Sequence, residues 1–195
     1  MNKIANYIIV GNRFSAISNQ TQILTYTELL ESIHHGTIKN GRLNIEQGIS
    51  EEQVSWLKRL IQKYHLNNAI SITSYFDEFE RCPHLFNHKA RHFNTLISTP
   101  REIDRLHFYS VLMIDDRCAE MSDHVTGSHI QMMLLVEAAR QMVLATTEKF
   151  FIESTFRGKL SFIANSVEST FTQFVFPFFT EVHCHVMKQR ILAPL

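Results

Sequence analysis

The chain has 195 residues, which is enough to bury a hydrophobic core in one domain with an extension or in two small domains. Its 19 lysine and arginine residues balance 19 aspartate and glutamate residues, so the composition gives no electrostatic attraction to nucleic acid or to an anionic membrane. We therefore expect neither nucleic acid nor a membrane as a partner.

The N-terminus and the cysteines favour a cytoplasmic protein. The first residues, MNKIANYIIVGNRF, contain an apolar run that is too short for the core of a secretory signal peptide. The sequence has no run of about 18 apolar residues that could span a bilayer. The cysteines are odd in number and widely spaced, which is typical of free thiols in a reducing compartment: Cys82, Cys118 and Cys184.

Residues 1–80 predict a small α/β segment without an identifiable role. Residues 7–10 are rich in β-formers and predict a strand, residues 27–33 predict a short helix, and residues 69–72 predict a second strand. A stronger helix is predicted over residues 50–64, where Ser50 and Gln53 have the spacing of a capping box. Gly11 alone is too weak a signal for a nucleotide site.

The second half of the chain has a different pattern. Residues 76–92 are polar and rich in histidine, which indicates a connector. Beyond it the sequence predicts a long helix over residues 130–150, with strands at 95–98 and 106–114 before it and at 160–176 and 179–187 after it. The helix is apolar nearly all round and must be covered on most sides, which a curved antiparallel sheet can do.

Three polar residues interrupt the apolar helix: Glu137, Arg140 and Gln141, at spacings that place them on one face. Two interpretations stay open. The Glu137 carboxyl group could have a raised pKa and act as an acid or base, or it could form an ion pair with Arg140 that neutralises both charges.

A loop with two histidines precedes the helix. His124 can carry a proton near neutral pH, and Asp123 beside it could orient the ring. Alternatively, Asp123 caps a turn and His124 is an ordinary loop residue. Gly127 would let the loop turn sharply, and His129 is expected to be a hydrogen-bonded support.

The motif in residues 123–141, DHVTGSH followed by LLVEAARQM, resembles the signature of the A-factor biosynthesis hotdog family, which includes γ-butyrolactone synthases. The resemblance covers roughly residues 88–179. It implies an α+β protein with a hotdog fold, in which a curved antiparallel sheet wraps a long central helix. We therefore predict that residues 85–195 form a single hotdog-like domain.

The resemblance also implies chemistry on an acyl thioester, carried by an acyl carrier protein or by coenzyme A. The type activity of the family is the condensation of a β-ketoacyl thioester with dihydroxyacetone phosphate. By analogy with hotdog dehydratases, His124 and Glu137 would form the acid/base pair. Arg140 would bind a phosphate or the carbonyl group. The remaining substrate-binding residues would be Asp123, Gly127, His129 and Gln141.

The resemblance further implies a homodimer, and no cofactor is expected. Two departures favour an alternative, a non-catalytic acyl-binding or assembly protein; a dehydratase or thioesterase of the same fold is also open. Met132 and Met133 stand where hotdog enzymes commonly have a glycine. The chain also has room for one hotdog repeat where the family type has two. Either the C-terminus is truncated or a second subunit completes the sheet.

Two histidine groups and one aromatic group need separate interpretation. The first group, His84, His88 and His92, has the spacing of metal ligands on a helix, but the loop-like composition weakens a helix there. The second group, His183 and His185, lacks a carboxylate partner on its strand face. No metal site is therefore expected at either group. The phenylalanines of residues 171–179 could line an acyl tunnel. With 15 phenylalanines in the chain, packing of the core is the favoured interpretation.

Overall fold

The computed structural model describes residues 4–121 and 127–188. Asp123 and His124 lie outside the described residues. None of the helices in these two ranges is long and apolar enough to cross a membrane. The three cysteines are free thiols, as the sequence predicted.

The N-terminal part is a parallel sheet of four strands in the order β2-β1-β3-β4. The strands are β1 (Asn6–Val10), β2 (Ile23–Thr25), β3 (Gly41–Ile45) and β4 (Ile70–Ser74). Two helices connect them, α1 (Tyr26–His34) and α2 (Glu51–Lys63). The two strands and two helices predicted in this region are therefore confirmed, and β2 and β3 were not predicted.

The capping box predicted for α2 is present. The Ser50 hydroxyl accepts a hydrogen bond from the Gln53 backbone N–H at 3.1 Å, and the Gln53 side chain accepts one from the Ser50 N–H at 2.8 Å. These bonds satisfy N–H groups that the first turn leaves unpaired. The buried face of α2 consists of Val54, Leu57 and Ile61, which pack against the sheet core.

The C-terminal part combines a short antiparallel sheet with the long helix. The sheet has the order β5-β6-β7 and consists of β5 (Arg101–Asp104), β6 (His107–Val111) and β7 (Glu181–His185). One turn, α3 (His84–Asn87), lies in the predicted connector. The long helix α4 (Met132–Thr146) continues as a π-helical turn, Thr147–Phe151, which confirms the predicted helix.

Helix α4 lies against the antiparallel sheet. Leu134, Ala138 and Met142 of α4 share a hydrophobic core with Phe108 of β6, and Val182 of β7 packs against this core. Together with the parallel sheet, this makes the chain an α+β protein.

Two predicted strands are wrong. Residues 95–98 form only isolated bridges, from Ile97 to Leu112 and from Ser98 to Arg81. Residues 160–176 contain no strand, and nearly all of them are exposed. Their backbone contributes a hydrogen bond from the Ile130 N–H to the Val175 carbonyl oxygen at 2.8 Å. A β-rich sequence becomes a strand only where a neighbouring strand pairs with it, and the described residues offer this segment none.

The two parts of the chain share a hydrophobic core. Val10 and Phe14, from the N-terminal part, pack in one cluster with Leu96 and Leu134. The buried side chain of Gln47 also joins them, because its amide donates to the Leu112 carbonyl oxygen at 2.8 Å. The N-terminal part is therefore packed tightly against the remainder of the chain. The division into two domains, residues 1–80 and 85–195, stays a prediction.

Candidate functional site

Glu137 lies at the centre of a cluster of charged and polar side chains on α4. The Arg140 guanidinium group donates two hydrogen bonds to its carboxylate, at 2.7 and 2.8 Å. The Gln141 amide donates a third at 2.9 Å, and the Lys89 Nζ atom lies 2.7 Å from Oε1. The predicted grouping of Glu137, Arg140 and Gln141 on one face is confirmed, and Lys89 completes it.

Of the two interpretations of Glu137 left open by the sequence, the raised pKa is wrong and the ion pair with Arg140 is confirmed. Burial of the carboxyl group acts to raise its pKa, but the hydrogen bonds from Arg140, Lys89 and Gln141 outweigh burial and lower the pKa to about 2. Glu137 is therefore ionised at neutral pH. It can accept a proton only as a weak base, and it has no proton to donate.

Lys89 joins this cluster to a second carboxylate. Its Nζ atom also lies 3.1 Å from the Glu120 Oε1 atom, and the Cys118 thiol donates to the other Glu120 oxygen at 2.8 Å. Lys89 follows α3, and Glu120 belongs to the short 3-10 turn Ala119–Met121. Lys89 was not predicted from the sequence, because its partner Glu137 is distant along the chain.

Gln141 holds α4 to the segment before β5. Its side chain is completely buried. The amide oxygen accepts a hydrogen bond from the Leu96 N–H at 2.8 Å, and the amide nitrogen donates to the Asn94 carbonyl oxygen at 2.9 Å. Gln141, predicted as a substrate-binding residue, therefore has a structural role, since it satisfies two backbone groups that would otherwise be unpaired.

An apolar groove of about 350 Å³ lies beside the first turns of α4, and we call it the α4 groove. His129, Met132 and Leu135 form one wall, and residues 171–175 form the other. The His129 ring contacts the Phe174 ring with centroids 4.8 Å apart. His129 is thus part of a wall, with its Nδ1 atom 3.3 Å from the Ser128 hydroxyl, in agreement with the predicted hydrogen-bonded support.

The phenylalanines opposite α4 are exposed, so core packing was the wrong interpretation for them. The Phe174 side chain is 72% exposed and Phe171 is 46% exposed. Phe176 and Phe179 are also exposed, whereas Phe178 packs against the core. Exposed aromatic side chains along one segment are typical of a surface that binds an apolar ligand or another protein.

Gly127 has the backbone conformation that its position in the loop suggested. Its φ angle is +69°, in the left-handed region that glycine adopts without strain. A Cβ atom added there would lie 2.9 Å from the Ala16 Cβ atom. The glycine is therefore required both by the turn and by close contact with the N-terminal part.

The Glu137 cluster and the α4 groove lie on different sides of α4. Leu135 lines the groove, and Glu137, two residues later, lies about 200° further around the helix axis. Neither Glu137 nor Arg140 is among the described residues that line the groove. Within the described part of one chain, the predicted residues thus form two groups, one with His129 and the other with Glu137.

The histidines form pairs with carboxylates. His88 Nε2 lies 2.8 Å from the buried carboxylate of Glu148. The expectation that His183 lacks a carboxylate partner is wrong, because its Nε2 atom lies 3.0 Å from Glu181. No group of three potential ligands among residues 4–121 and 127–188 has an arrangement that could hold a metal ion.

Comparison with known proteins identifies one family. No curated protein and no solved structure matches the chain. Residues 77–177, just over half of the chain, match the family model of the A-factor biosynthesis hotdog domain. This range contains α3, the 3-10 turn with Glu120, α4 and the aromatic wall of the α4 groove. The chain therefore belongs to the A-factor biosynthesis hotdog family.

Proposed function

We propose that this protein is an acyl-thioester enzyme that holds the acyl chain of its substrate in the α4 groove. The α4 groove is the observation that carries the proposal, because it presents apolar side chains on both walls with a histidine beside them. The donor is a β-ketoacyl thioester of an acyl carrier protein or of coenzyme A in the cytoplasm. The acceptor is dihydroxyacetone phosphate, in agreement with the family to which the chain belongs.

The walls of the α4 groove suit an alkyl chain. Met132 and Leu135 supply flexible aliphatic surface, and Phe171 and Phe174 supply flat aromatic surface. Each methylene group that leaves water contributes about 0.8 kcal/mol to binding. Methionine adapts to irregular shapes, so Met132 fits a role in binding chains of more than one length.

The proposed reaction is an acyl transfer. A hydroxyl oxygen of dihydroxyacetone phosphate forms an ester bond with the acyl carbon, and the thioester C–S bond breaks. The hydroxyl proton passes to a base, and the sulfur leaves as a thiol after it receives a proton. We assign proton transfer to His124, with Asp123 as its orienting partner. Gly127 and His129 would shape the substrate site.

Glu137 and Arg140 have a proposed role in this reaction that follows from their charges. Because Glu137 is ionised at neutral pH and only a weak base, it fits the role of electrostatic partner to Arg140. The Arg140 side chain is 49% exposed, so its guanidinium group is within reach of a phosphate from the acceptor or from a carrier-linked pantetheine group. Gln141 would hold Glu137 in place.

A homodimer is the proposed assembly. Residues 156–179 expose a series of large apolar side chains, among them Phe162, Ile163 and Val167. Contiguous apolar surface of this kind is typical of protein interfaces. A second copy could complete the sheet around α4 and could bring the Glu137 cluster of one subunit toward the α4 groove of the other.

A second candidate function is non-catalytic acyl binding or assembly. One observation favours it. Three donors already bind the Glu137 carboxylate, and this carboxylate lies on the side of α4 away from the groove. In that case the acyl chain would bind and no bond would change. A thioesterase would use the same groove with water in place of the acceptor. A dehydratase would use it without an acceptor, because it removes water from the substrate itself.

Product analysis tests the proposal. The protein is incubated with a β-ketoacyl carrier thioester, with and without dihydroxyacetone phosphate, and the products are identified by mass spectrometry. We expect an ester and free thiol only when the acceptor is present, and loss of both in His124→Ala. Free acid without acceptor would show a thioesterase, and an α,β-unsaturated thioester from a β-hydroxyacyl substrate would show a dehydratase. Acyl binding without any product would establish the second candidate.

A further inference from the structure

A second cavity lies at the carboxyl ends of two parallel strands. We call it the strand-end cavity; its volume is about 540 Å³. Strands β3 and β4 end at Ile45 and Ser74, and the next residues, Glu46 and Tyr75, line the cavity. Loops beyond the carboxyl ends of parallel strands are where open α/β sheets bind ligands. The strand-end cavity is distinct from the α4 groove and shares no lining residue with it.

Two buried polar atoms in the wall of this cavity have no hydrogen-bond partner among the described residues. One is the hydroxyl oxygen of Tyr75, whose side chain is only 7% exposed. The other is the Oε2 atom of Glu46. Buried polar groups are nearly always paired, because an unpaired one loses its hydrogen bonds to water without replacement. Both atoms are shielded from solvent, so they mark unsatisfied polarity behind the cavity wall, and a ligand would meet the Glu46 carboxyl group, which is only partly buried.

The charges in the wall indicate what that ligand would be. Three carboxylates line the strand-end cavity, and no lysine or arginine of the described residues does. Glu78 lies 3.6 Å from Arg101, and Glu181 lies 3.0 Å from His183. Glu46 has no such cationic partner in the described ranges. A positive charge in the cavity would therefore pair with Glu46.

Aromatic rings supply the rest of the recognition surface. Tyr75, Phe79, Tyr109 and Phe179 all line the strand-end cavity. The negative face of an aromatic ring attracts a cation, and the same ring packs favourably against apolar groups. Carboxylate and rings together suit a molecule with an ammonium group on an apolar body.

We propose that the strand-end cavity binds a small organic amine in its protonated form, with the ammonium group on Glu46 and the apolar body against the aromatic rings. The proposal does not depend on the acyl-transfer function. It assigns to the N-terminal part of the chain a ligand that the α4 groove does not bind.

The protonation of Glu46 gives the proposal a second consequence. Burial raises the pKa of Glu46 to about 7, with the backbone N–H of Phe179 opposing this effect. An ammonium ion prefers the ionised carboxylate, so its affinity rises as the pH increases from 6 to 8. The other titratable or charged groups around the cavity are Tyr75, Glu78, Tyr109, Glu181, His183 and, behind Phe79, Arg101; Arg81, Glu51 and Asp115 act on Tyr75 from behind the wall.

Matched ligands test the proposal by isothermal titration calorimetry. The probes are phenethylamine, its uncharged analogue 2-phenylethanol and the anion phenylacetate. We expect the wild-type protein to bind phenethylamine at least ~10-fold more tightly than 2-phenylethanol, since a hydrogen bond to a charged group is stronger than one between neutral groups. Phenylacetate should bind least. Equal affinities for amine and alcohol, or a preference for the anion, overturn the proposal.

Variants locate the charge that is responsible. Glu46→Gln should bind the amine and the alcohol with similar affinity. Glu80→Gln removes an exposed carboxylate that does not line the cavity, and it should keep the wild-type preference. A preference that persists in Glu46→Gln overturns the proposal.

A measurement on the wild-type protein covers the case in which Glu46→Gln does not fold. Amine affinity should rise between pH 6 and 8, whereas alcohol affinity should not, because phenethylamine itself stays protonated in this range. His183→Gln should keep this dependence on pH. A pH-independent amine affinity, or a dependence that disappears in His183→Gln, overturns the assignment to Glu46.

Discussion

The Nζ atom of Lys89 lies 2.7 Å from the Oε1 atom of Glu137, so the segment after α3 is tied directly to the middle of α4. Both side chains are largely buried, at 18% and 15% exposure. With Arg140 and Gln141 as further donors, the pair explains how a carboxylate is accommodated in a helix that is otherwise apolar.

Replacement of Glu137 should reduce stability in a way that depends on pH. The pKa of Glu137 is about 2 in the folded protein and near the ordinary glutamate value of 4.5 in the unfolded chain. Its ionised form therefore stabilises the fold fully above pH 4.5, and this contribution is lost as the pH falls through 2. We expect Glu137→Gln to lower the free energy of unfolding by about 1–3 kcal/mol at pH 7. Urea denaturation at pH 7 and pH 2.5 measures the difference, and an equal loss at both pH values would argue against the ion pairs as its source.

Lys89 and Glu137 should be energetically coupled. In a double-mutant cycle with Lys89→Met and Glu137→Gln, the two effects on the free energy of unfolding should fall short of additivity by about 1–2 kcal/mol. Lys58 and Asp77 form a matched control, because they are 3.0 Å apart but about half exposed. Their coupling should be below about 1 kcal/mol. Additive effects at Lys89 and Glu137 would contradict the contact.

Gln141 should be essential for stability independently of any role in catalysis. Gln141→Leu keeps the approximate volume but leaves the Leu96 N–H and the Asn94 carbonyl oxygen without their partners. We expect the free energy of unfolding of Gln141→Leu, measured by urea denaturation, to fall by about 2–4 kcal/mol. Arg140→Leu, at a half-exposed position on the same helix, serves as comparison and should cost less. Near-wild-type stability of Gln141→Leu would contradict the structural role.

Gly127 should tolerate alanine less well than another glycine of similar conformation. Gly36 has a φ angle of +68°, close to the +69° of Gly127, and a Cβ atom there meets only the flexible end of Lys39. The free energy of unfolding of both Gly→Ala variants should fall by about 1 kcal/mol, because alanine is strained in the left-handed backbone conformation. Gly127→Ala should lose a further ~1–3 kcal/mol through the contact with Ala16. Equal melting temperatures of the two variants would show that the contact is relieved without cost.

Glu46 should destabilise the fold at alkaline pH. Its pKa of about 7 lies above the ordinary glutamate value of 4.5, so folding favours the protonated form. The protonated carboxyl group therefore stabilises the folded protein below pH 4.5, and this contribution is lost as the pH rises through 7. The free energy of unfolding of Glu46→Gln, relative to that of the wild-type protein, should therefore increase by about 1–3 kcal/mol between pH 4 and pH 8. A constant difference across this range, measured by urea denaturation, would rule out the raised pKa.

The sequence predicted those elements whose signals are local. Helix α2 combines a capping box with one apolar face, and α4 is a long apolar run, so both were identified close to their actual limits. The family was identified from the motif around Glu137 and is confirmed. Residues 160–176 were misassigned because β-formers reveal nothing about whether a partner strand is present.

The arrangement of the polar residues could not be predicted, because it depends on contacts between distant parts of the chain. Arg140, which is close along the helix, and Lys89, which is distant along the chain, both lower the pKa of Glu137, and only the fold brings Lys89 to the carboxylate. Glu46 and Tyr75 follow two different strands, and they share a cavity only because β3 and β4 pair in parallel. Neither carries a motif that marks it in the sequence.

Photo-crosslinking tests the central claim, that the α4 groove binds the acyl chain, most directly. A β-ketoacyl thioester with a diazirine near the end of its chain is irradiated with the protein, and the labelled peptides are sequenced by mass spectrometry. We expect labels within residues 129–135 and 171–175, and competition by the unlabelled thioester. Labels that lie mainly elsewhere, or that the unlabelled thioester does not displace, would contradict the claim.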